Sequence, residues 1–498
     1  MQLLKFLGLG GKGVGLQTPV FLFNTLSQKK DAFTPIRDKE VRMYNCGPTV
    51  YDYPHIGNFR SWIFADILRR TLEYNGYRVK QVINITDVGH LTSDADVGED
   101  KVERRARLEG KKVSDIVEQA TEAFFEDLKL LNVRTKGTIF PRASDHIKEQ
   151  IAFVQTLEEK GYTYRIDDGV YFDTSLFKNY GKLGNIQLAG QKEGARVEGN
   201  PQKRHAADFA LWKFSPKDTK RQQEWESPWG IGFPGWHLEC SAMAMKHLGK
   251  ELDIHTGGID HIPIHHNNEI AQTESVTGRK FARYWLHGAF ITIDGQKISK
   301  SVGNTIYVRN IMDHGYSPLS LRYWFLTGHY KSQMNFTWEA LEGAHVALFK
   351  LHKFFVEELP KRGGSIIPSY EKRFREAVDN DLDMPKAVAL LWELVRDENV
   401  EKKDKRATLL SFDEVLGIGL SESNRRLLDL IAGKERRLSV SELPSEVWKL
   451  VDEREDARVS EDFGKADALR TKIELLGFTV SDTPKGPEVR RLSKLSTG

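Results

Sequence analysis

Cysteine is scarce in this sequence. Cys46 and Cys240 are the only two cysteines among 498 residues, too few for a disulfide framework. We therefore expect the two thiols either to be buried or to have a chemical role. For an isolated cysteine, a buried structural position is the default interpretation.

Long apolar segments are also absent. No run approaches the roughly 20 apolar residues that a membrane-spanning helix needs, and the apolar core of the N-terminal segment is too short for a typical signal peptide. We therefore expect no membrane partner and a cytoplasmic location.

The sequence also lacks a strong net charge. With 73 basic and 70 acidic residues the formal net charge is +3, so composition alone does not indicate a nucleic-acid-binding protein. Any such surface must be local, and lysine and arginine concentrate in residues 101–112 and 485–498. Charge runs of this kind are more often solvated faces or tails than binding sites.

Hydrophobic periodicity predicts an α/β protein. Residues 41–44 favour a short strand, residues 62–72 carry apolar side chains at helical spacing, and residues 77–86 return to a β pattern. This β–α–β order is typical of a parallel sheet covered by helices. Alternation resumes after residue 208, and helical patterns dominate from about residue 316.

The chain length predicts about three domains. Gly8, Gly10 and Gly13 match the spacing of a dinucleotide-binding loop, but no strand precedes them and no helix follows; a disordered extension is expected there instead. We predict the following division: 1–18, disordered extension; 19–117, first half of a Rossmann-like catalytic domain; 118–208, inserted connective domain; 209–315, second half of the catalytic domain; 316–425, helical bundle; 440–498, small C-terminal module.

Two loops have the features of nucleotide-binding segments. PHIGN, residues 54–58, lies where a loop enters a helix, whose free N–H groups and positive dipole end suit phosphates. His55 could contact ATP there, and Gly57, which has no side chain, would permit ATP to approach the backbone closely. A capping or core histidine is the alternative interpretation.

The second loop is GQKISKSVGN, residues 295–304, which follows a predicted strand. Its Lys297 and Lys300 are flexible cations that could neutralise charge on a transferring pyrophosphate. An ordinary solvated loop is the alternative.

The segment PIHHNNE suggests a metal site. If residues 265–274 are helical, His265 and Glu269 project from one face. Cys46 ends the first strand, and Cys240 lies near the start of a later helix. Zinc accepts thiolate, imidazole and carboxylate ligands, so these four side chains would complete one site if the fold brought them together. The alternative is the polar face of an ordinary helix, with inert thiols elsewhere.

Together, PHIGN and KISKS resemble the HIGH and KMSKS signatures of class I aminoacyl-tRNA synthetases, in the same order and each after a strand. Longer segments narrow the resemblance to cysteinyl-tRNA synthetases, from about residue 20 to the end. They are YNCGPTVYDYPHIGN, NITD, DFALWK, SPWGIGFPGWHLECSAM, DIHTGGIDHIPIHHNNEIAQ, DLDMPKAVALLWEL and DFGKADALRTKIELLGFTVSDTPKG.

The resemblance implies an enzyme that joins L-cysteine to tRNA(Cys) through a cysteinyl-adenylate, with ATP as substrate, Mg²⁺, and one Zn²⁺ per chain. The family's zinc ligands fall on Cys46, Cys240, His265 and Glu269, which leaves His266 without a ligand role. A soft cation separates a thiol from the hydroxyl of serine, so no editing domain is needed. The helical bundle and the C-terminal module would bind tRNA, and we expect a monomer.

The resemblance also implies roles for other residues. The expected catalytic residues are His55, Asn58, Lys297 and Lys300. The expected ATP and adenylate contacts are Gly57, Gly257, Gly258, Asp260 and Lys300. The expected cysteine contacts are Gly47, Thr49, Thr86, Trp236 and His255. Without the resemblance, a core position would be the simpler interpretation of Trp236.

The sequence departs from the family pattern at a few positions. Asn58 replaces the second histidine of HIGH, and Ile298 replaces the methionine of KMSKS. The proline before the histidine pair is shifted, and the tail segment GPEVRR lacks an aromatic residue that is often found there. None of these changes removes an expected zinc ligand.

Two other functions remain open. A cysteine ligase that acylates a small amine, as in mycothiol biosynthesis, shares the catalytic core but needs neither the bundle nor the C-terminal module. A zinc-stabilised RNA-binding protein without catalysis would need no loop for pyrophosphate, so His55, Lys297 and Lys300 count against it.

Overall fold

The computed structural model describes residues 19–88, 91, 100–185, 200–216, 221–299, 302–431, 443–476, 478–483 and 486–491. The predictions made for residues 1–18 and for Lys300 lie outside the described residues.

The first part of the chain forms the predicted β–α–β unit. Strand β3 pairs in parallel with β4, and α1 connects them. Helix α1 begins after Pro54 and ends before Gly76, whose φ of 83° no longer fits a right-handed helix. The elements are β1 (Phe21–Asn24), β2 (Lys29–Ala32), β3 (Glu40–Asn45), α1 (Ile56–Tyr74) and β4 (Arg78–Ile83).

The middle of the chain combines helices with an antiparallel sheet. Its strands lie in the order β5-β6-β7-β8. The elements are α2 (Lys101–Glu109), α3 (Val113–Leu130), α4 (Ile147–Glu159), β5 (Thr163–Ile166), β6 (Gly169–Phe172), β7 (Phe209–Phe214) and β8 (Gly232–Pro234).

The two predicted borders of the inserted domain fall inside these structural units. Residue 118 lies within α3, whose Phe124 belongs to the same apolar core as Ile63 of α1. Residue 208 directly precedes β7, so the antiparallel sheet continues past that border. Periodicity identifies helices and strands, but it does not show which core they join. The domain division therefore stays a prediction.

The chain then returns to the first sheet. Its strands lie in the order β10-β9-β3-β4, and all three pairings are parallel. The segment YWLHGAFITI, which reads as one strand, is divided between β10 and β11, because Ala289 donates its N–H to the carbonyl of Tyr330 instead. The elements are α5 (Trp236–Leu248), β9 (Leu252–Gly258), α6 (His265–Thr277) and β10 (Ala282–Gly288).

A small sheet and a helical region follow. Strand β11 pairs with both β12 and β13. Apolar residues of the helices, such as Leu321, Leu348 and Leu409, extend the core of the parallel sheet. The elements are β11 (Ile291–Ile293), β12 (Gln296–Lys297), α7 (Val308–Asp313), α8 (Pro318–Leu326), β13 (Met334–Phe336), α9 (Trp338–Lys353), α10 (Pro368–Val378), α11 (Met384–Arg396), α12 (Lys402–Leu416) and α13 (Arg425–Ile431).

The C-terminal module has an apolar core of its own. Val447, Ile473, Phe478 and Val489 pack together in a cluster separate from the main core. The elements are α14 (Ser445–Val459), α15 (Phe463–Leu475), β14 (Phe478–Thr483) and β15 (Gly486–Arg491).

A buried carboxylate joins the catalytic sheet to the helical region. Asp66 of α1 accepts hydrogen bonds from Arg70 at 2.7 Å, from Arg322 of α8 at 2.7 Å and from the backbone N–H of Arg134 at 2.8 Å. Arg322 also donates to the carbonyl of Leu416 in α12. The Asp66 side chain is 1% exposed and that of Arg322 is fully buried, so each depends on the other for charge compensation.

We predict that Asp66→Asn lowers the free energy of unfolding by about 3 kcal/mol or more, because two arginines are left buried without a counter-charge. Urea unfolding measures this loss. Glu393→Gln is the matched control, since Glu393 pairs with Arg373 at the surface and exposed pairs contribute less than about 1 kcal/mol. Equal effects of the two substitutions would contradict the prediction.

The difference in stability between the unaltered chain and Asp66→Asn should depend on pH. Burial raises the pKa of Asp66, but Arg70 and Arg322 outweigh burial and hold it below the usual value of 3.8. A lowered carboxyl pKa stabilises the fold above the pKa of the unfolded state. The free energy of unfolding of the unaltered chain should therefore exceed that of Asp66→Asn by a constant amount above about pH 4, and this difference should shrink as the pH falls further.

Candidate active site and metal centre

The parallel sheet gathers the predicted site residues at one edge. Cys46 directly follows β3 and donates its N–H to the carbonyl of Thr256 in β9 at 3.1 Å. Gly257 and Gly258 end β9 at the same edge. In open parallel sheets, ligands bind outside the carboxyl ends of the strands, so this edge is the candidate site.

Helix α6 lies beside this edge and is not an exposed polar helix. Its first residues, HHNNE, are all buried. Burial of five polar side chains in succession is costly unless they have partners. The alternative interpretation of this segment as a solvated helix face therefore does not describe the fold.

The four predicted metal ligands lie together. Donor atoms of Cys46, Cys240, His265 and Glu269 are all within 4.8 Å of one another. Glu269 Oε1 lies 3.0 Å from His265 Nε2, yet it accepts no hydrogen bond from the described residues. Two thiols, an imidazole and a carboxylate with an unsatisfied oxygen match the ligand types of zinc, so these residues fit the ion.

A second set of donor atoms overlaps the first. Cys46, His255, His266 and Glu269 also lie within 4.8 Å of one another. His266 Nε2 is 3.3 Å from Cys46 Sγ, and His255 Nε2 is 3.0 Å from Glu269 Oε2. His255 was expected to contact cysteine and His266 to have no ligand role; both contact expected ligands.

Other buried histidines orient the centre. His237 Nδ1 lies 2.9 Å from His265 Nδ1, which turns the Nε2 atom of His265 toward Glu269. His266 Nδ1 contacts His287 Nε2 at 2.7 Å, and Thr25 Oγ1 contacts His287 Nδ1 at 2.7 Å. Sequence reasoning assigned no role to His237, although it lies in the quoted segment SPWGIGFPGWHLECSAM, and it missed His287 and Thr25, which lie on separate elements outside the segments that carry the family resemblance.

The centre holds buried charges of both signs. The hydrogen bond from Cys46 lowers the pKa of the Cys240 thiol to about 6, whereas burial raises that of Cys46 well above its usual value. Burial alone would raise the pKa of Glu269 and lower the pKa of His265, but neighbouring groups have the larger effect. His255 and His265 lower the pKa of Glu269 to about 2, and Glu269 raises the pKa of His265 to about 10. Anions that need a nearby cation are typical of a metal site.

His55 and Asn58 cap α1, the helix that begins within PHIGN. The N–H of Asn58 donates to His55 Nδ1 at 3.3 Å, and the N–H of His55 donates to Asn58 Oδ1 at 3.0 Å. Burial lowers the pKa of His55, so the ring is neutral near pH 7 and its Nε2 atom carries the proton. Asn58, in place of a second histidine, therefore closes a capping box.

The two expected nucleotide loops meet. A Cβ atom on Gly57 would lie 2.9 Å from Ile298 Cδ1, so only glycine allows this contact without a shift. Lys297 ends β12 and is exposed, and its carbonyl accepts from Asn304 Nδ2 at 3.0 Å. Asp260, expected on the adenosine side, is 56% exposed.

Three of the expected cysteine-binding residues, Gly47, Trp236 and His255, lie next to candidate metal ligands. Thr49 pairs with Thr86 in a single parallel β-bridge. The Trp236 ring lies 4.5 Å from the His265 ring. Gly47 donates its N–H to Asn84 Oδ1 at 2.8 Å, with its backbone closely packed on that residue. The structure thus brings the described members of the expected set to one edge, while their roles stay predictions.

We predict that Gly47→Ala is strongly disruptive. The added Cβ would lie 1.6 Å from the carbonyl oxygen of Asn84, so the backbone must move. We expect a loss of stability of about 3 kcal/mol in thermal unfolding. Gly343→Ala in α9 is the control: its Cβ meets nothing within 4 Å, and alanine favours a helix. A melting temperature of Gly47→Ala equal to that of the control would refute the close packing.

Three family models match the chain. The model for the class I (C) tRNA synthetase catalytic domain matches residues 32–346, the DALR domain matches residues 373–420, and the cysteinyl-tRNA ligase anticodon-binding domain matches residues 440–490. In the part of the chain that the structure describes, no helix has both the length and the apolar character needed to cross a membrane.

Curated relatives match nearly the full chain. Cysteine–tRNA ligase 1 of Burkholderia lata is 48% identical over 469 residues, covering 94% of this chain and 96% of that protein. Cysteine–tRNA ligase of Treponema denticola is 41% identical, covering 93% of this chain and 97% of that protein.

Solved structures match the fold at low identity. A ternary complex of Agrobacterium radiobacter LeuRS with tRNA and LeuAMS has a TM-score of 0.58 at 11% identity, covering 80% of this chain and 86% of that chain. Methionyl-tRNA synthetase of Mycobacterium tuberculosis has a TM-score of 0.51 at 14% identity, covering 79% and 91%. The predicted fold class, a Rossmann-like α/β domain followed by helices, is confirmed.

The parallel sheet and the catalytic-domain match define a class I aminoacyl-tRNA synthetase. Identity over nearly the whole length then settles which one: the chain belongs to the cysteine–tRNA ligase family and is an enzyme of that kind. The predicted family and enzyme class are confirmed.

Proposed function

We propose that the chain joins L-cysteine to tRNA(Cys) in two steps. The carboxylate of cysteine attacks the α-phosphate of ATP, giving cysteinyl-adenylate and pyrophosphate. A ribose hydroxyl of the terminal adenosine of tRNA then attacks the adenylate. Neither step needs a nucleophile from the protein, so its residues act by positioning and charge stabilisation. The family match to cysteine–tRNA ligases supports this reaction.

Cys46, Cys240, His265 and Glu269 would hold one Zn²⁺ ion. The observation that carries this proposal is the meeting of their donor atoms within 4.8 Å. The ion would supply a soft Lewis acid that binds the thiolate of cysteine far better than the hydroxyl of serine. His237 would keep His265 turned toward the ion.

The ATP-binding residues would act from the two loops. The N-terminus of α1 and the neutral His55, through its Nε2–H group, donate toward the phosphates. Lys297 and Lys300, together with Mg²⁺, balance the charge of the departing pyrophosphate. Gly57, Gly257, Gly258 and Asp260 line the adenosine side. Asn58 contributes as the capping partner of His55.

Contacts with cysteine would come from the edge of the sheet. Gly47 and Thr49 follow β3, and Thr86 lies opposite Thr49. Trp236 packs beside His265, and His255 lies on β9 beneath the donor atoms. The substrate would then lie between the proposed zinc ligands and the proposed ATP-binding loops.

The helical region and the C-terminal module would bind tRNA. The match of residues 440–490 to an anticodon-binding domain favours a tRNA substrate over a small amine. We propose that the enzyme acts as a monomer in the cytoplasm, where translation takes place.

Measuring two activities separates the candidate functions. The full chain should show cysteine-dependent exchange of pyrophosphate into ATP, and transfer of cysteine to tRNA. A small-amine ligase would show only the exchange, and a binding protein neither. Deleting residues 440–498 should spare the exchange and raise KM for tRNA, because this module has its own core. Loss of both activities would mean that the module is structural.

We predict that Cys240→Ser weakens zinc binding and cysteine activation together. A hydroxyl is a poor zinc ligand, so zinc affinity should fall by at least about 100-fold. Elemental analysis and chelator competition measure the metal independently of activity. Met243→Leu, a buried volume-conserving change on the same helix, should keep zinc. Unchanged metal content and activity in Cys240→Ser would refute the ligand assignment.

A further inference from the structure

One arginine of α2 holds the loop that leads into the ATP-binding motif. Arg105 Nη1 donates to the carbonyl of Tyr51 at 3.0 Å and contacts the carboxylate of Asp52. Its guanidinium lies 5.4 Å from the ring centre of Tyr53, and its Nε donates to Glu109 at 2.7 Å. A single side chain thus contacts three successive residues of the loop.

The preceding residues of this loop are fixed differently. Val50 donates its N–H to the carbonyl of Thr86 at 3.0 Å, and Thr86 donates to the carbonyl of Pro48 at 2.9 Å. The backbone therefore follows the sheet edge as far as Val50. After Val50 the chain turns away, and α2 supplies the support, including Lys101, whose ammonium group lies 5.5 Å from the Tyr51 ring.

Residues 51–53, which Arg105 contacts, lie next to both proposed nucleotide-binding loops. Tyr53 lies two positions before His55, and its ring centre is 6.5 Å from that of Tyr307. His55 pairs with Tyr307 in a β-bridge, and Ile56 donates its N–H to the carbonyl of Ile306 at 2.9 Å. Ile306 and Tyr307 lie just after the KISKS loop, so a shift of Tyr53 would reach both ATP-binding loops.

Helix α2 is itself firmly anchored. Asp100 caps its first turn and is 1% exposed. Arg221 donates to Asp100 Oδ2 at 2.8 Å, and its guanidinium lies 3.8 Å from the ring centre of Phe233 in β8. The helix is therefore tied to the antiparallel sheet, and a residue on a fixed element can set the position of a loop.

We propose that Arg105 is a positioning residue for the use of ATP. It holds residues 51–53 and thereby places His55 relative to the KISKS loop. The inference rests on the proposed adenylation reaction. It concerns ATP rather than cysteine, because Cys46 is fixed separately through its hydrogen bond to Thr256.

The test uses the full-length, zinc-loaded chain and cysteine-dependent exchange of pyrophosphate into ATP. Arg105→Ala should raise KM for ATP about tenfold, because small misplacements of positioning groups are costly. KM for cysteine and zinc content should stay unchanged. Arg104→Ala is the matched control: it removes the same charge from an exposed position on the same helix and should keep the original KM for ATP.

Three further variants, Arg105→Lys, Asp52→Ala and the double variant Arg105→Ala/Asp52→Ala, separate positioning from charge and test whether Arg105 acts through Asp52. Arg105→Lys keeps the charge, but one ammonium group cannot replace the planar guanidinium across these contacts, so the defect should persist. If Arg105 acts through Asp52, the double variant Arg105→Ala/Asp52→Ala should be no worse than the more defective single variant.

Several results would overturn the inference. They are an unchanged KM for ATP in Arg105→Ala, full recovery by lysine, additive effects in the double variant, or a parallel rise in KM for cysteine, which would indicate a general structural role. If the unaltered chain shows no cysteine-dependent exchange, the proposed function fails and this inference fails with it. Exchange in the unaltered chain with a normal Arg105→Ala variant rejects the inference alone.

Discussion

Parallel pairing of β3 with β9 is the constraint on which the candidate site depends. It places Cys46 at the same sheet edge as the end of β9, although a long stretch of chain separates them. Helices α5 and α6 then bring Cys240 and the pair His265 and Glu269 to that edge. Because parallel strands need crossover connections, an inserted segment can lengthen the chain between the ligands without separating them in space.

Electrostatics explains why this edge suits a cation. A buried carboxylate and a thiol with a lowered pKa are held beside an imidazole with a raised pKa. Protons alone satisfy this arrangement incompletely, since Glu269 Oε1 accepts no hydrogen bond from the described residues. A divalent ion would compensate both anions at once and leave His265 neutral, as metal coordination requires.

Local pattern and resemblance predicted much of the site, and long-range contacts account for the rest. The helix that begins at His265 and the strand before Cys46 followed from periodicity and spacing, and the family motifs named the four donors. The contacts of His266 with Cys46 and of His287 with Thr25 depend on tertiary packing, which periodicity does not encode. Asn58 was expected among the catalytic residues, a role that stays a prediction; its side chain caps α1, a contact that periodicity does not show. Residue 118, the predicted start of the inserted domain, lies within α3. The apolar face of α3 joins the core of α1, which periodicity could not show.

The buried carboxylate of Asp66 limits how this enzyme can be divided. Helix α1 begins within PHIGN and carries Asp66 further along, whereas Arg322 belongs to the helical region. A fragment that ends before α8 would keep Asp66 and Arg70 but lose the second guanidinium and its link to Leu416. The catalytic half is therefore not a portable module, and a chimera with another synthetase would have to exchange α1 and α8 as a matched pair.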